Sequence, residues 1–372
     1  MKLIDVCELI VDCPHSTAND EGTGYPLIRT PNVGKGRLIL DGVHRVSKEV
    51  YDARNARAIP QPGDLILARE APAGNVALIQ DGQQVCLGQR TVLIRPNKTK
   101  VYPAYLVYYM LAPYAQHELK SAANGATVVH VNMPKIRGLN IDLPEMSEQI
   151  RIGDILSAYD DLIATNQKQI SLLEEAAQRI YKEWFIDFHF PGHESTSFED
   201  GIPVGWKKDI LAEIAAFKRG KTITRDKTNE GGVPVIAGGL TPAYYHNQAN
   251  TAAPVITISG SGANAGFTRM YHEKVWASDC SFIDIDTTTS FYFVYCFIKV
   301  NVHQINNLQK GAAQPHVYAK DLNKLEVLIP TEDVRDSFTD TVKPFFDKIG
   351  ILEKQNVFAE DARTRLLREL LD

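Results

Sequence analysis

The sequence predicts an α+β protein that uses one plan twice. Two similar mixed α/β units are each followed by a long helix, and the two helices pair antiparallel as a coiled coil with an internal pseudo-two-fold repeat. Three observations predict this. The phrase GATVVHV at 125–131 returns as GAAQPHV at 311–317, with Gly, Ala, His and Val in the same places. The offset of 186 between them continues without a gap for about 60 residues, and 186 is half of the 372-residue length. Each phrase is followed by a stretch nearly free of Pro and Gly whose apolar residues recur in heptads.

In chain order, residues 1–145 form the first unit. DLILARE, NVALIQ and QRTVLIRP read as strands, with turns at QPGD and DGQQ. A helix is expected over 103–120, then the repeated phrase and a strand ending in Pro, LNIDLP (139–144). Residues 146–190 carry the first long helix, with Ser147 as its N-cap. One seam holds Leu156, Ile163, Ile170, Ala177 and Trp184, with Ile152, Tyr159, Leu173 and Ile180 interleaved.

Residues 191–331 repeat the unit, with strands at PVIAGG, APVITISG and SFIDID, a helix over 290–309, and the closing strand LEVLIP (325–330). Residues 332–372 carry the second long helix. Phe338, Val342, Phe345, Ile349, Leu352, Leu366 and Leu370 form its seam, and Pro344 is a source of a kink. At ~1.5 Å per residue each helix is about 55–60 Å long. The short linker HFPGHESTSFEDGIPVGW favours antiparallel pairing within one chain. Each seam has one polar residue, Asn166 and Asn356. An antiparallel register would set them opposite each other to fix alignment, the alternative being that both face solvent.

The composition, 44% hydrophobic and 23% charged, is that of an ordinary globular protein. No signal pattern and no apolar run of ~18 residues is present, so a cytoplasmic protein without membrane contact is expected. The five cysteines are odd in number, scattered and without C-x-x-C spacing, which points to reduced, buried thiols rather than a disulfide frame or metal site. The net charge of −5 is unevenly spread: +2 over 1–145, −4 over 146–190, zero over 191–330 and −3 over 331–372. The acid sits on the helices, so contact with a polyanion would rely on local patches.

Two Gly-punctuated basic loops offer such patches. FKRGKTITRDK presents Lys218, Arg219, Lys221, Arg225 and Lys227, and LIRTPNVGKGR presents Arg29, Asn32, Lys35 and Arg37. Cations and loop amides suit phosphates, and Arg and Asn also suit guanine and adenine edges. SGSGANAGFTR (259–269) lacks the G-K-[ST] ending of a nucleotide loop. It reads as a hairpin tip bringing Asn264 and Arg269 to DNA, matched in the first unit by REAPAGN with Arg69 and Asn75. Each of these four loops has a bland alternative as solvated surface. His130 and His316 lack partners at catalytic or metal spacing and are expected to hold backbone at the joint. Trp184, Trp206, Tyr108 and Tyr109 are expected to pack.

This layout resembles the specificity (S) subunit of type I restriction-modification systems. The residues that carry the resemblance are GATVVHVNMPKIRGLNIDLPEMSEQIRIGDIL, its echo GAAQPHVYAKDLNKLEVLIP, and IPVGWKKDILAEI, which looks like the opening of a second target-recognition domain. The second copy departs in lacking the Glu–Gln that follows Pro144, reading TEDVRDS after Pro330. The resemblance implies that 1–145 and 191–331 are target-recognition domains reading the two halves of a bipartite, asymmetric double-stranded DNA target, with the helices setting the gap. It implies that two modification (M) subunits dock on the helical region, and that a restriction (R) subunit is an optional further partner. S-adenosylmethionine, ATP and Mg would belong to those partners, and the S chain itself would hold no cofactor or metal and perform no chemistry. Two other readings remain at this point. A stand-alone DNA-modifying enzyme lacks support, since no Asn/Asp-Pro-Pro-aromatic tetrad, P-loop or metal-binding carboxylate trio is found. The other is an architectural scaffold whose basic loops bind protein.

Overall fold

The computed structural model describes residues 1–121, 130–311 and 314–371; most of the first repeated phrase and two alanines of the second lie outside these. The chain divides into two compact units, residues 1–165 with 355–372, and residues 166–354.

In the first unit, strands β1 (Cys7–Asp12), β2 (Tyr25–Ile28), β3 (Gly36–Arg37), β4 (Arg45–Val46), β5 (Leu65–Ala68), β6 (Val76–Leu78), β7 (Cys86–Leu87) and β8 (Thr91–Pro96) form sheets in the orders β1-β8-β5-β6-β3 and β4-β2-β7. The sequences LILA (65–68) and VLI (92–94) are apolar at every position because both faces of the larger sheet are covered. Their period of two sorts them: Leu65, Leu67, Val92 and Ile94 join one core, and Ile66, Ala68 and Leu93 join the other. Helix α1 (Lys48–Arg54) follows β4. The helix expected over 103–120 is two, α2 (Pro103–Leu111) and α3 (Pro113–Lys120). Pro113 holds the preceding Ala112 extended and so breaks the run. Helix α4 (Met133–Gly138) follows.

Helix α5 (Met146–Phe185) spans 40 residues and starts one residue before the expected cap Ser147. The second unit opens with the short hairpin β9 (Phe198–Glu199) and β10 (Ile202–Pro203), inside the stretch expected to be a plain linker. Phe190 and Trp206 there are buried against each other, and Trp206 also meets Phe185 and Phe188. Strands β11 (Lys207–Ile210), β12 (Lys218–Arg219), β13 (Val233–Ile236), β14 (Tyr244–His246), β15 (Val255–Ser259), β16 (Thr268–Tyr271), β17 (Trp276–Ala277), β18 (Cys280–Asp284) and β19 (Glu326–Ile329) follow. Their sheets run β12-β18-β15-β16 and β14-β13-β17, with β11 paired to β19. The helix expected over 290–309 is again two, α6 (Phe291–Val300) and α7 (Val302–Asn307), followed by α8 (Ala319–Leu322) and the second long helix α9 (Glu332–Leu371).

Both long helices have 40 residues, and both their ends differ by 186. In the first unit Asp160 of α5 meets Arg363 of α9. In the second, Tyr181 and Trp184 of α5 meet Phe338 of α9. Early residues of one helix thus face late residues of the other, which is antiparallel pairing. Pro344 lies inside α9, and the helix continues past it.

The closing segments differ. LEVLIP is strand β19, whereas LNIDLP is not a strand and makes a single bridge, Lys2 to Asn140. Opposite it the backbone turns into a 3-10 turn at Leu3, which removes further partners. The anchoring bond is nevertheless shared. Leu3 N–H donates to Leu139 O and Leu211 N–H to Leu325 O, each at 2.8 Å. The departure after Pro330 also has a structural equivalent. Gln149 accepts from the backbone N–H of Tyr102 at the start of α2, and Arg335, 186 residues on, donates to Ser290 at the start of α6.

Candidate nucleic-acid interface

Shared backbone hydrogen bonds align the two units residue by residue. Arg69 N–H donates to Arg90 O as Gly260 N–H does to Asp279 O, and Val131 N–H donates to Arg69 O as Val317 N–H does to Gly260 O. Strand register places Asp12 opposite Val92 and Arg219 opposite Ser281, at corresponding steps of β8 and β18. Asp12 therefore corresponds to Arg219, Arg69 to Gly260, Glu70 to Ser261, Arg90 to Asp279, and His130 to His316.

The first unit fills this joint. Arg69 is only 9% exposed. Its Nη1 donates to both Asp12 oxygens at 2.9 and 2.7 Å, its Nε to Val131 O at 2.9 Å, and its Nη2 lies 2.8 Å from His130 Nε2. A guanidinium only donates, so Nε2 accepts and Nδ1–H of His130 donates to Glu70 at 2.7 Å. Glu70 also holds Arg90 at 2.9 Å. His130 is thus the structural histidine expected of it, although it bonds side chains rather than backbone.

The second unit leaves the joint open. Gly260 supplies no side chain, and a cavity of about 440 Å³ is lined by Arg219, Ser261, Asp279, Gln314, His316 and Tyr318. His316 stacks on Tyr318 with ring centres 5.8 Å apart, and Ser261 Oγ donates to Asp279. The charges are inverted relative to the first unit: Asp12 has become Arg219 and Arg90 has become Asp279.

The candidate residues divide accordingly. Lys35, Lys218, Arg219, Lys221, Arg225 and Lys227 are exposed. Lys221 stands over the Trp276 ring, whose Nε1–H donates to the Lys221 carbonyl. Asn32 and Arg69 are buried and occupied by the fold. Asn32 accepts from Arg29 N–H and donates to Ile39 O, which shapes the loop rather than presenting its amide. Asn75 donates to Val33 O and Asn264 to Gly238 O, so both tip amides brace their hairpins. Arg37 pairs with Asp161 of α5. Arg269 lies over Tyr271 at 4.9 Å and reaches Glu353 of α9 at 3.4 Å. Sequence reasoning missed Lys120. Burial first, then the Lys35 charge, holds its ammonium below the ordinary lysine value.

The loop 29–37 is latched to the helices within its own unit. Asp160, 4% exposed, accepts from Tyr108 OH at 2.6 Å and from Arg363. Arg363 also donates to Lys35 O at 3.4 Å. Gly36, at φ +96°, passes so close to the Asp160 carboxylate that a Cβ would collide with it. The hint in the sequence was an acid four residues after Leu156 and three before Ile163, at core-facing spacing. In the second unit Glu353 holds His272 at 3.0 Å, and Glu174 accepts from Tyr295 OH at 2.7 Å. Asn166 is 2% exposed on α5, and Asn356 is half-buried on α9.

Among the described residues no group of three His, Cys, Asp or Glu could hold a metal, and no helix is long and apolar enough to cross a membrane.

A family model described as type I restriction modification DNA specificity domain matches residues 1–175 and 203–357. The type I restriction enzyme MjaIX specificity subunit of Methanocaldococcus jannaschii is 24% identical over the whole chain and 91% of its own length. The putative MjaX specificity subunit of the same organism is 26% identical over the whole chain and 92% of its length. A crystal structure of the type I restriction-modification S subunit from M. genitalium superposes with a TM-score of 0.59 at 15% identity, covering all of this chain and 95% of that one, so it shares the fold. The doubled sheet plan, the two 40-residue helices and the two matched segments together make this chain a member of the type I restriction-modification DNA specificity (S) subunit family.

Proposed function

We propose that this chain reads a split, asymmetric DNA sequence, with residues 1–145 and 191–331 as two target-recognition domains and α5 with α9 as the spacer. The observation that carries this reading is the charge inversion at equivalent positions of one repeated scaffold: Asp12 against Arg219 and Arg90 against Asp279. Readers with one backbone and opposite charges favour different base edges and phosphate placements. Lys35, Lys218, Arg219, Lys221, Arg225 and Lys227 are the contacts free to reach DNA, with Arg29, Arg37 and Arg269 at the margins. Asn166 and Asn356 serve as the register residues of the helix pair.

The chain performs no chemistry of its own. Two M subunits dock on the helical region and bring S-adenosylmethionine for adenine methylation; an R subunit, where present, adds ATP and Mg for cleavage. The complex works in the cytoplasm, where the DNA is. Mapping methylated adenines genome-wide with and without this gene tests the reading. Loss of one split motif is expected, and an unchanged methylome refutes it. Stoichiometric binding of S-adenosylmethionine by the chain alone would instead favour a stand-alone enzyme.

A further inference from the structure

We propose that the first unit holds an oxyanion site, built by Arg29, Arg54 and Arg90, that takes a phosphate group. These residues line a cavity of about 200 Å³ together with Thr17, Thr30 and Gln89. None of the arginines belongs to a sheet interior. Arg29 follows β2, Arg54 ends α1, and Arg90 lies in the turn between β7 and β8.

Arg54 carries the argument. It is 6% exposed, yet every acceptor its guanidinium meets is a backbone carbonyl: Leu87 O, Ser16 O at 3.1 and 3.2 Å, and Pro14 O at 3.4 Å. Among the described residues no carboxylate forms an ion pair with it. A buried cation held only by neutral dipoles keeps its charge unbalanced, a costly arrangement unless an anion arrives. Arg29 adds a second such charge, since its Nε is buried without a hydrogen-bond partner and no carboxylate pairs with it among the described residues. Arg90 has a left-handed backbone at φ +63°, which a residue with a side chain rarely adopts, and its side chain is 62% exposed, with Glu70 as partner. Three guanidiniums against two nearby carboxylates, Glu70 paired with Arg90 and Asp20 within electrostatic reach of Arg29, leave an excess of positive charge facing one opening. Forked N–H donors of this kind match phosphate oxygens bidentately.

The second unit shows that the fold does not require these charges. Gly88 N–H donates to Ile28 O as Ser278 N–H does to Ile236 O, so Arg29 corresponds to Ala237 and Arg90 to Asp279. The carbonyl of Ala277, equivalent to Leu87, is satisfied by the neutral amide of Asn250 at 2.9 Å, where the first unit uses Arg54. A neutral side chain and the Lys221 N–H serve that carbonyl in the second unit, so this bond does not call for a charge, although Arg54 also ties down Ser16 O and Pro14 O.

The phosphate could belong to DNA backbone, in which case the inference rests on the DNA-reading proposal, or to a free phosphate or nucleotide. Two arms separate these. In the first, the full chain assembled with its modification subunits is titrated with target duplexes carrying a single neutral methylphosphonate at successive positions. One position in the half-site of the first unit is expected to weaken wild-type binding by about tenfold, roughly one charge-assisted contact. The same position should cost the R29Q/R90Q variant little further. In the second, inorganic phosphate and AMP are titrated into the full chain at constant ionic strength and followed by ³¹P NMR. Saturable binding lost in R29Q/R90Q supports the site with a free ligand. Sequence-specific binding with no phosphate coupled to R29Q/R90Q, together with no saturable phosphate binding, overturns the site and leaves DNA reading intact. Arg54 is left unchanged in both arms because its loss would also disturb the fold.

Discussion

Asp160 offers the sharpest test of how the reader loop is held. Asp160→Ala removes a carboxylate that is 4% exposed and accepts from Tyr108 OH and Arg363. Among the described residues it leaves Arg363, whose side chain is 17% exposed, with the 3.4 Å contact to Lys35 O, and it leaves the Tyr108 hydroxyl with Ser157 alone. Breaking a buried pair from one side costs ~3–5 kcal/mol. Since Arg363 keeps some solvent, the lower end applies, about 3 kcal/mol. That is roughly a hundredfold in the local opening equilibrium. Hydrogen exchange on peptides covering 25–40 and 103–111 reads it directly. The three tryptophans, Trp184, Trp206 and Trp276, all belong to the second unit, so their fluorescence in urea is an internal control that should not move. The double variant D160L/R363M removes both charges and should recover most of the loss. A change below about 1 kcal/mol for D160A, or a double variant worse than the single, would refute the latch.

Four further outcomes follow from the same geometry. Gly36→Ala should cost about 1–3 kcal/mol, through its positive φ and its collision with Asp160, and should weaken binding at one half-site while sparing the other in filter-binding assays. Arg69→Met should lower stability by about 3 kcal/mol by removing the charged partner of Asp12, whereas Arg219→Gln, at the exposed position equivalent to Asp12, should leave the thermal midpoint nearly unchanged. Burial pushes the thiols of Cys7 and Cys280 up to about 12 and that of Cys86 up to about 11, so at pH 8 the native chain should react slowly with an aromatic disulfide reagent. All five cysteines should react once it is unfolded in guanidinium. Affinity for target duplex should fall steeply between about 50 and 200 mM salt, and K218Q/K221Q should flatten that slope; a flat wild-type slope would remove phosphate contacts from the account.

The long helices were legible because their heptads and the 186-residue offset are long-range, redundant signals. Ile152, Leu156, Phe338, Val342 and Leu352 all lie on buried faces as their spacing demands. The hairpin tips REAPAGN and SGSGANAGFTR were matched to each other, and the first connects the expected strands β5 and β6, whereas the second leads from the expected β15 into β16, a strand the sequence reading did not include. The roles of their side chains were not legible. Arg69 looks like any exposed basic residue in sequence, and only the register of β1 against β8 brings Asp12 beneath it. Asn32, Asn75 and Asn264 were read as DNA contacts, and their amides bond carbonyls instead, Asn32 within its own loop and the two tip residues to Val33 O and Gly238 O of neighbouring loops. Arg54 and Arg90 escaped notice because neither lies in a basic run. LNIDLP was read as a strand from its composition, and its neighbour's turn at Leu3 limits it to a single bridge.

The inverted charges on a common backbone bear on orientation. A duplicated protein with two equivalent heads could settle on a target in either direction. On the proposed reading of a split target, arginine in one head where the other has aspartate would give the two orientations unlike contacts with the duplex.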